Sequence, residues 1–318
     1  MQTRRDILAA PAIALATACR RESLKIIGVI PKATSHLFFL SVHAGVDQAA
    51  RDFHREVLWN GPNDETDYTR QIEIVDAMIA QGVAALAISA TDERALVAPL
   101  ERAIGAGIPV TVFDSAVNID DYVSFIATDN HGAGCTAARL LAGLMQRKGD
   151  AAMVMQKPGG TSTVLREKGF SETMAAEFPA IRIVARQFGM ADPARSRAAA
   201  ENILTAHPNL AGMFASSEAA SIGAIQAIRS RGLSGKIHLV TFDFSSTHVE
   251  ALRDGTAEVM LCQDPFRIGY EAVKSLAQKL SGQTPAKRLE IAASIVTKPD
   301  LDKPDVQALL FPKWLKEK

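Results

Sequence analysis

The sequence has little cysteine, no surplus of either charge and, beyond its first twenty residues, no long apolar run. Three cysteines in 318 residues are too few for a disulfide scaffold. Basic and acidic residues balance at 35 each, and no basic block is long enough for a nucleic-acid footprint, so no nucleic-acid partner is expected. No run after the N-terminus approaches the ~20 apolar residues that cross a bilayer. No Gly-x-Gly-x-x-Gly follows the first strand-like segment and no histidine spacing suits a metal, so neither cofactor nor metal is expected. What remains, 47 % hydrophobic and 22 % charged, is the composition of a globular protein long enough for two packed domains.

The N-terminus reads as an address. Arg4-Arg5 precedes an apolar stretch, Ile7 to Ala18, that is alanine-rich and too short for a membrane span. Residues 1–23 are therefore expected to be an export signal, and the arginine pair resembles the twin-arginine kind. Ala16-Thr17-Ala18-Cys19 resembles a lipoprotein processing site with Cys19 as the lipid-bearing residue, although Leu15 stands one place earlier than usual. A lipid there would be the protein's only membrane attachment. Cys135 and Cys262 would then be left, and two buried thiols are expected rather than a bridge.

From Leu24 a rhythm sets in. Short β-branched runs alternate with longer amphipathic ones: Lys25–Ile30 as strand, Leu37–His54 as helix with Val42, Val46, Ala49 and Phe53 in helical spacing, Glu56–Trp59 as strand, then Asp67–Gln81 as helix stopped by Gly82. The alternation runs on through Val110–Phe113 and resumes after Phe125–Asp129, which predicts two doubly wound parallel-sheet α/β units. After Gln263 come one more helix, Arg267–Ser281, and one more strand, Ile291–Val296. Such a pair cannot cover itself and must complete one of the two sheets.

Several segments in this order carry a resemblance: Ile27-Gly28-Val29-Ile30-Pro31-Lys32, Phe38-Phe39, Gly107-Ile108-Pro109-Val110, Phe113-Asp114-Ser115, Ala127-Thr128-Asp129-Asn130, Arg166-Glu167-Lys168-Gly169-Phe170, Phe242-Asp243 and Gln263-Asp264-Pro265. From Leu24 to Lys298 the chain resembles the periplasmic sugar-binding proteins of the ribose-binding type, the solute receptors of ATP-driven importers. Ile-Pro-Lys and Asn60-Gly61-Pro62 resemble the branch with rhamnose-type and autoinducer-2-type receptors. The resemblance implies the type I periplasmic-binding-protein fold, two Rossmann-like lobes joined by a three-strand hinge. The lobes would be residues 24–127 with 263–294, and 128–262 with 295–300, leaving 301–318 as a tail. It implies no catalysis, a small neutral sugar or polyol as ligand, and an ABC permease as partner. The alternative is the same receptor presenting its ligand to a membrane sensor.

Ligands of open α/β sheets lie beyond the carboxyl ends of the strands, where this chain has Lys32, His36, Ser89, Asp114 and Ser115, then Ser216, Ser217, Glu218 and Asp243. The positions matching the family's pocket are His36, Phe38, Phe39, Asp114, Ser115, Arg166, Ala191, Ser217, Asp243 and Gln263. Lys32 is added from its strand end. Carboxylates and an arginine fork suit hydroxyls, and aromatic faces suit the C–H side of a sugar ring. His36, Ser115, Ala191 and Ser217 depart from the ribose receptor's amide, arginine, aromatic and amide, which argues against ribose itself. Plainer readings stand beside these. Asp114 and Asp243 could cap the following helices, Arg166 could be solvated, Phe38 or Phe39 could be core, His36 could be a loop histidine, and Lys32 could serve only to pair Asp114. Gly159-Gly160-Thr161-Ser162 lacks the Gly-Lys-Ser/Thr ending of a phosphate loop and reads as a turn. Asp114 and Asp243 have no evident nucleophile beside them, which argues against an enzyme.

The export reading has a direct check. Mass spectrometry of the mature protein should find a diacylglyceryl group on Cys19. A soluble form cut elsewhere would refute lipidation, and a full-length cytoplasmic product would refute export as well.

Overall fold

The computed structural model describes residues 25–312. The export segment and Cys19 lie outside the described residues. The first unit runs β1 (Ile26–Ile30), α1 (Leu37–Asp52), β2 (Glu56–Trp59), α2 (Tyr68–Ala80), β3 (Ala85–Ile88), α3 (Val97–Gly105), β4 (Val110–Phe113) and β5 (Phe125–Thr128). The second runs α4 (Asn130–Leu144), β6 (Gly149–Met155), α5 (Thr161–Glu177), β7 (Ile181–Phe188), α6 (Pro193–Ala206), β8 (Leu210–Ala215), α7 (Glu218–Ser230), β9 (His238–Phe242), α8 (Ser246–Asp254) and β10 (Val259–Cys262). The chain closes with α9 (Pro265–Leu280), β11 (Arg288–Ile291), β12 (Ser294–Thr297) and α10 (Pro304–Leu310).

The strands form two six-stranded sheets, ordered β11-β5-β4-β3-β1-β2 and β12-β10-β9-β8-β6-β7. Central strands such as Ala85–Ile88 and Val110–Phe113 are buried throughout, as parallel strands with helices on both faces must be. Each sheet lies between two apolar clusters. Aspartates start several helices: Asp67, Asp129, Asp192 and Asp264 each accept the backbone N–H three residues on. Each such cap contributes about 1 kcal/mol. Gly82, at φ +69°, ends α2 as the sequence implies. Helix α1 lacks this device: His36 at its N-cap makes no side-chain cap bond, and its first turn holds no acid.

The single strand expected over Ile291–Val296 is two. β11 adds to the first sheet beside β5, parallel, and β12 adds to the second beside β10, antiparallel. The chain thus passes between the units three times, at 128–130, 262–265 and 291–294. The turn expected over Gly159–Ser162 is shorter: Gly159 and Gly160 form it, and Thr161 and Ser162 already belong to α5. The segment expected as a tail contributes Leu301, Val306 and Leu310 to the second sheet's core. Cys135 and Cys262 are both free thiols, but only Cys262 is buried.

Helix α9 packs on the first sheet, with Ile268, Ala272, Val273 and Leu276 against Val42, Val46 and Ala49 of α1. Two glycines set the distance. A β-carbon at Gly45 would overlap the Phe266 carbonyl oxygen, and one at Gly269 the Val42 carbonyl oxygen. The second unit repeats the device between α4 and α5 at Gly134 and Gly169. A helical glycine costs about 1 kcal/mol in propensity, which backbone-to-backbone packing offsets. Gly45→Ala should therefore destabilise despite alanine's better propensity, by roughly 2–3 kcal/mol, the scale of overpacking. Thermal or urea unfolding checks this, and a neutral or stabilised variant would mean that the two helices can separate freely.

Candidate functional site

The carboxyl ends of both sheets face each other, and the residues after equivalent strands meet between them. Asp114 follows β4 and Asp243 follows β9, the fourth strand of its own unit. Both backbones are left-handed, at φ +56° and +68°, a conformation that aspartate tolerates better than bulkier residues.

On the first side, Lys32 is buried and pairs with Asp114 at 3.1 Å and with Glu65 at 3.6 Å. Ser89 Oγ donates to Asp114 Oδ2 at 2.7 Å. His36 Nδ1 lies 3.6 Å from Glu65. Burial alone would lower the Lys32 pKa, but Asp114 and Glu65 together outweigh it and raise it. His36 is raised in the same way: burial opposes its charge, and its bond to Glu65 wins. Burial pushes Glu65 upward, yet Lys32 and His36 hold it well below the usual carboxylate range.

On the second side, Arg166 is only 2 % exposed. Its guanidinium stacks 3.8 Å over Phe242, donates to Asn130 Oδ1 at 2.8 Å and to the Ser216 carbonyl at 3.0 Å, and lies 4.0 Å from Asp243. Asp243 accepts Gln263 Nε2 at 2.7 Å and the Glu218 N–H at 2.9 Å. Gln263 in turn accepts Thr128 Oγ1 at 2.7 Å, so one amide ties the site to two of the three passages between the units. Burial, with Asp243 nearby, pushes Glu218 up to about 7. Burial likewise pushes Glu167 up to about 7, although Ser216 Oγ and the Gln156 N–H both donate to it.

The strand-end and family-matched residues line one space, except Ser89, Ser115, Ala191 and Ser216. Ser115 is buried beside it and shares a 3.1 Å hydrogen bond with Thr161. Ala191, at φ +57°, uses its N–H on the Gln156 carbonyl. The helix-cap readings of the two aspartates do not hold: β5 follows Asp114, and the N-cap of α8 is Ser245. Arg166 is not solvated. Phe39 is core, while Phe38 stands edge-on to it at 5.0 Å, partly buried. Glu65, Gln156, Ser162, Thr163 and Glu218 complete the lining. Glu218 and Ser162 stood in segments the sequence singled out, and Gln156 at a strand end; Glu65 and Thr163 had no periodicity or motif to mark them. A wider groove of about 460 Å³ runs along the rim by Phe188 and Val164, but its lining comes from the second unit apart from Glu93. Among the described residues, no cluster of His, Cys, Asp or Glu could hold a metal ion.

The two facing α/β units, with a polar site between them, have the architecture of a solute receptor. A family model described as a periplasmic binding protein domain matches residues 27–284, and the chain belongs to that family, one of binding proteins rather than enzymes. The D-ribose/D-allose-binding protein of Pseudomonas aeruginosa is 27 % identical over 285 residues, which cover 86 % of this chain and 89 % of that one. A carbohydrate transporter solute-binding protein from Agrobacterium radiobacter, solved with D-arabinose, superposes with a TM-score of 0.88 at 28 % identity, over 91 % of this chain and 99 % of that one. An ABC transporter solute-binding protein from Agrobacterium vitis, solved with α-D-tagatopyranose, gives 0.87 at 30 % identity over the same shares. The type I fold is therefore the one expected, and it groups this chain with the solute-binding proteins of ABC sugar transporters.

The buried Glu167 carboxyl yields a pH prediction. Its pKa is about 7 in the fold against 4.5 ordinarily. A raised carboxyl stabilises the fold fully below its unfolded value, and that contribution is lost as pH rises through the folded value. Between pH 5 and 8 the wild type should therefore lose stability that Glu167→Gln keeps, with a difference on the order of 3 kcal/mol. The buried His248, lowered to about 4, has the opposite slope but is common to both proteins. Urea unfolding of both at the two pH values checks this, and parallel pH profiles would sink it.

Proposed function

We propose that this protein captures a small neutral sugar or polyol between its lobes and delivers it to an ABC import permease at the outer face of the membrane. The observation that carries this is the cleft itself: carboxylates from both units, Asp114 and Asp243, with Arg166 and Phe38 beside them, around one enclosed space. Such a set can donate to and accept from many hydroxyls while an aromatic ring covers an apolar sugar face. The relatives named above, with their ribose, allose, arabinose and tagatose ligands, support a sugar without selecting one.

The enclosed space is about 30 Å³, on the scale of one water molecule. The lobes as described are shut, and a sugar enters when they part. In this reading the lobes are residues 24–127 with 263–294 and 128–262 with 295–300, and they rotate about hinges near 127–129, 262–264 and 293–295. Neutrality of the ligand follows from charge. Lys32 and Arg166 are already answered by Glu65, Asp114 and Asp243.

The test is a thermal-shift screen with D-arabinose, D-tagatose, D-fucose, D-allose, D-ribose and simple polyols, followed by calorimetry. A ligand at ~100 times its dissociation constant adds about 2.7 kcal/mol to stability. Asp114→Asn and Asp243→Asn should each weaken binding at least ~10-fold, since a charged hydrogen bond contributes roughly 1.5–3 kcal/mol. Phe38→Ala should also weaken it. Unchanged affinity in both aspartate variants would move the site elsewhere, and tight binding of sugar acids alone would overturn neutrality.

A further inference from the structure

The cleft contains a second anion-attracting element besides its two buried cations. Helix α1 is sixteen residues long and starts inside the cleft, with no side-chain cap and no acid in its first turn. A helix start of this kind directs free N–H groups and partial positive charge at whatever lies before it. The His36 carbonyl takes the N–H groups of Phe39 and Leu40. The Phe38 N–H donates instead to Glu218 Oε2 at 3.3 Å. Glu218 is the first residue of α7 and belongs to the opposite lobe. The cap of α1 is therefore supplied across the cleft.

We infer that Glu218 is a specificity-determining residue: its carboxylate occupies the anion site at the start of α1 when the lobes close, and so excludes anionic ligands. This rests on the proposed sugar-receptor reading and extends it from the neutrality of the ligand to the residue that enforces it. Lys32 is neutralised within its own lobe by Asp114 and Glu65, and Arg166 within its own by Asp243. The N-cap of α1 makes no side-chain cap bond, and its first turn holds no acid. A sugar acid or sugar phosphate entering the cleft would meet Glu218 already seated on the Phe38 N–H. A neutral sugar competes for no such place.

The experiment compares the wild type with Glu218→Ala and with the near-isosteric, uncharged Glu218→Gln. Inorganic phosphate, D-glucuronate and the neutral sugar panel are the probes, read by thermal shift and calorimetry. The wild type should respond to neither anion at 10 mM, a concentration set at roughly the weak end of ligand affinities. The alanine variant should bind at least one anion at least ~10-fold more tightly than the wild type, and the glutamine variant should shift in the same direction. If both variants fold and neither gains anion binding, the proposal is overturned. If neither folds, it is also overturned, because it requires the carboxylate to be dispensable for folding. If only the glutamine variant folds, its anion response decides. Failure of every neutral sugar to bind the wild type would sink the sugar reading and leave the phosphate result readable on its own.

Discussion

The pocket cations Lys32 and Arg166 are each answered by carboxylates of their own half of the cleft, and the rest of the design depends on that. Lys32 and His36 are answered by Glu65 and Asp114 from the first lobe. Arg166 is answered by Asp243 from the second, and its remaining N–H groups find Asn130 and the Ser216 carbonyl there. Breaking a buried ion pair costs roughly 3–5 kcal/mol because it strands a charge. Had Lys32 been paired across the gap, opening would carry that cost every time. The bonds that do cross are mostly of a kind water can replace: Lys32 to Ser162 Oγ at 3.2 Å, Thr161 to the Ala116 carbonyl at 3.2 Å, and the Glu93 N–H to the Gly159 carbonyl at 3.2 Å. A replaceable hydrogen bond contributes about 1 kcal/mol net.

Two amides, Gln263 and Asn130, tie the pocket to the passages between the units. Gln263 lies just after β10, where the chain leaves the second sheet for α9. It accepts from Thr128, at the end of β5, and donates to Asp243. Rotating one lobe against the other must therefore disturb Gln263, and with it the carboxylate that would meet a sugar hydroxyl. The same geometry explains why β12 runs antiparallel. The chain leaves β11 at Ile291 and turns within two residues into Ser294, too short a path for the crossover that a parallel strand needs.

Much of this was legible in the sequence because it has period. Buried parallel strands such as Ile26–Ile30 and Val110–Phe113 read as short apolar runs, and α1 and α2 read as amphipathic repeats. The strand-end polar residues followed from that register, which is how Lys32, Asp114, Ser217 and Asp243 could be named. What failed lacked period. Ile291–Val296 is apolar enough for one strand, and only the packing of two sheets shows that Ala292 and Ala293 divide it. Glu65 sits in the loop between β2 and α2, where no pattern separates a pocket carboxylate from a solvated one. Gln156 stands at a strand end, just beyond β6, and was passed over there, while Thr163 lies one turn before Arg166 on α5. Ala191 was drawn from the family position, but an alanine there cannot reach into the space that an aromatic would line.

The two lobes share a frame and use it differently, and the lysines are the clearest instance. Lys32 lies two residues beyond β1, and Lys157 two residues beyond β6, the equivalent strand of the other sheet. Lys32 turns into the pocket and is held by carboxylates. Lys157 turns to the rim and gives its ammonium to the Thr91 carbonyl of the opposite lobe at 2.6 Å and to the Pro158 carbonyl at 3.2 Å. Burial, with some repulsion from Lys32, lowers its pKa. Next to it, Gly159 at φ +81° has Asp92 so near that a β-carbon would strike the carboxylate. The 157–159 turn thus sits closely on the 91–93 loop of the other lobe. One symmetric position thus has two settings, the cleft lining in the first lobe and the rim contact in the second.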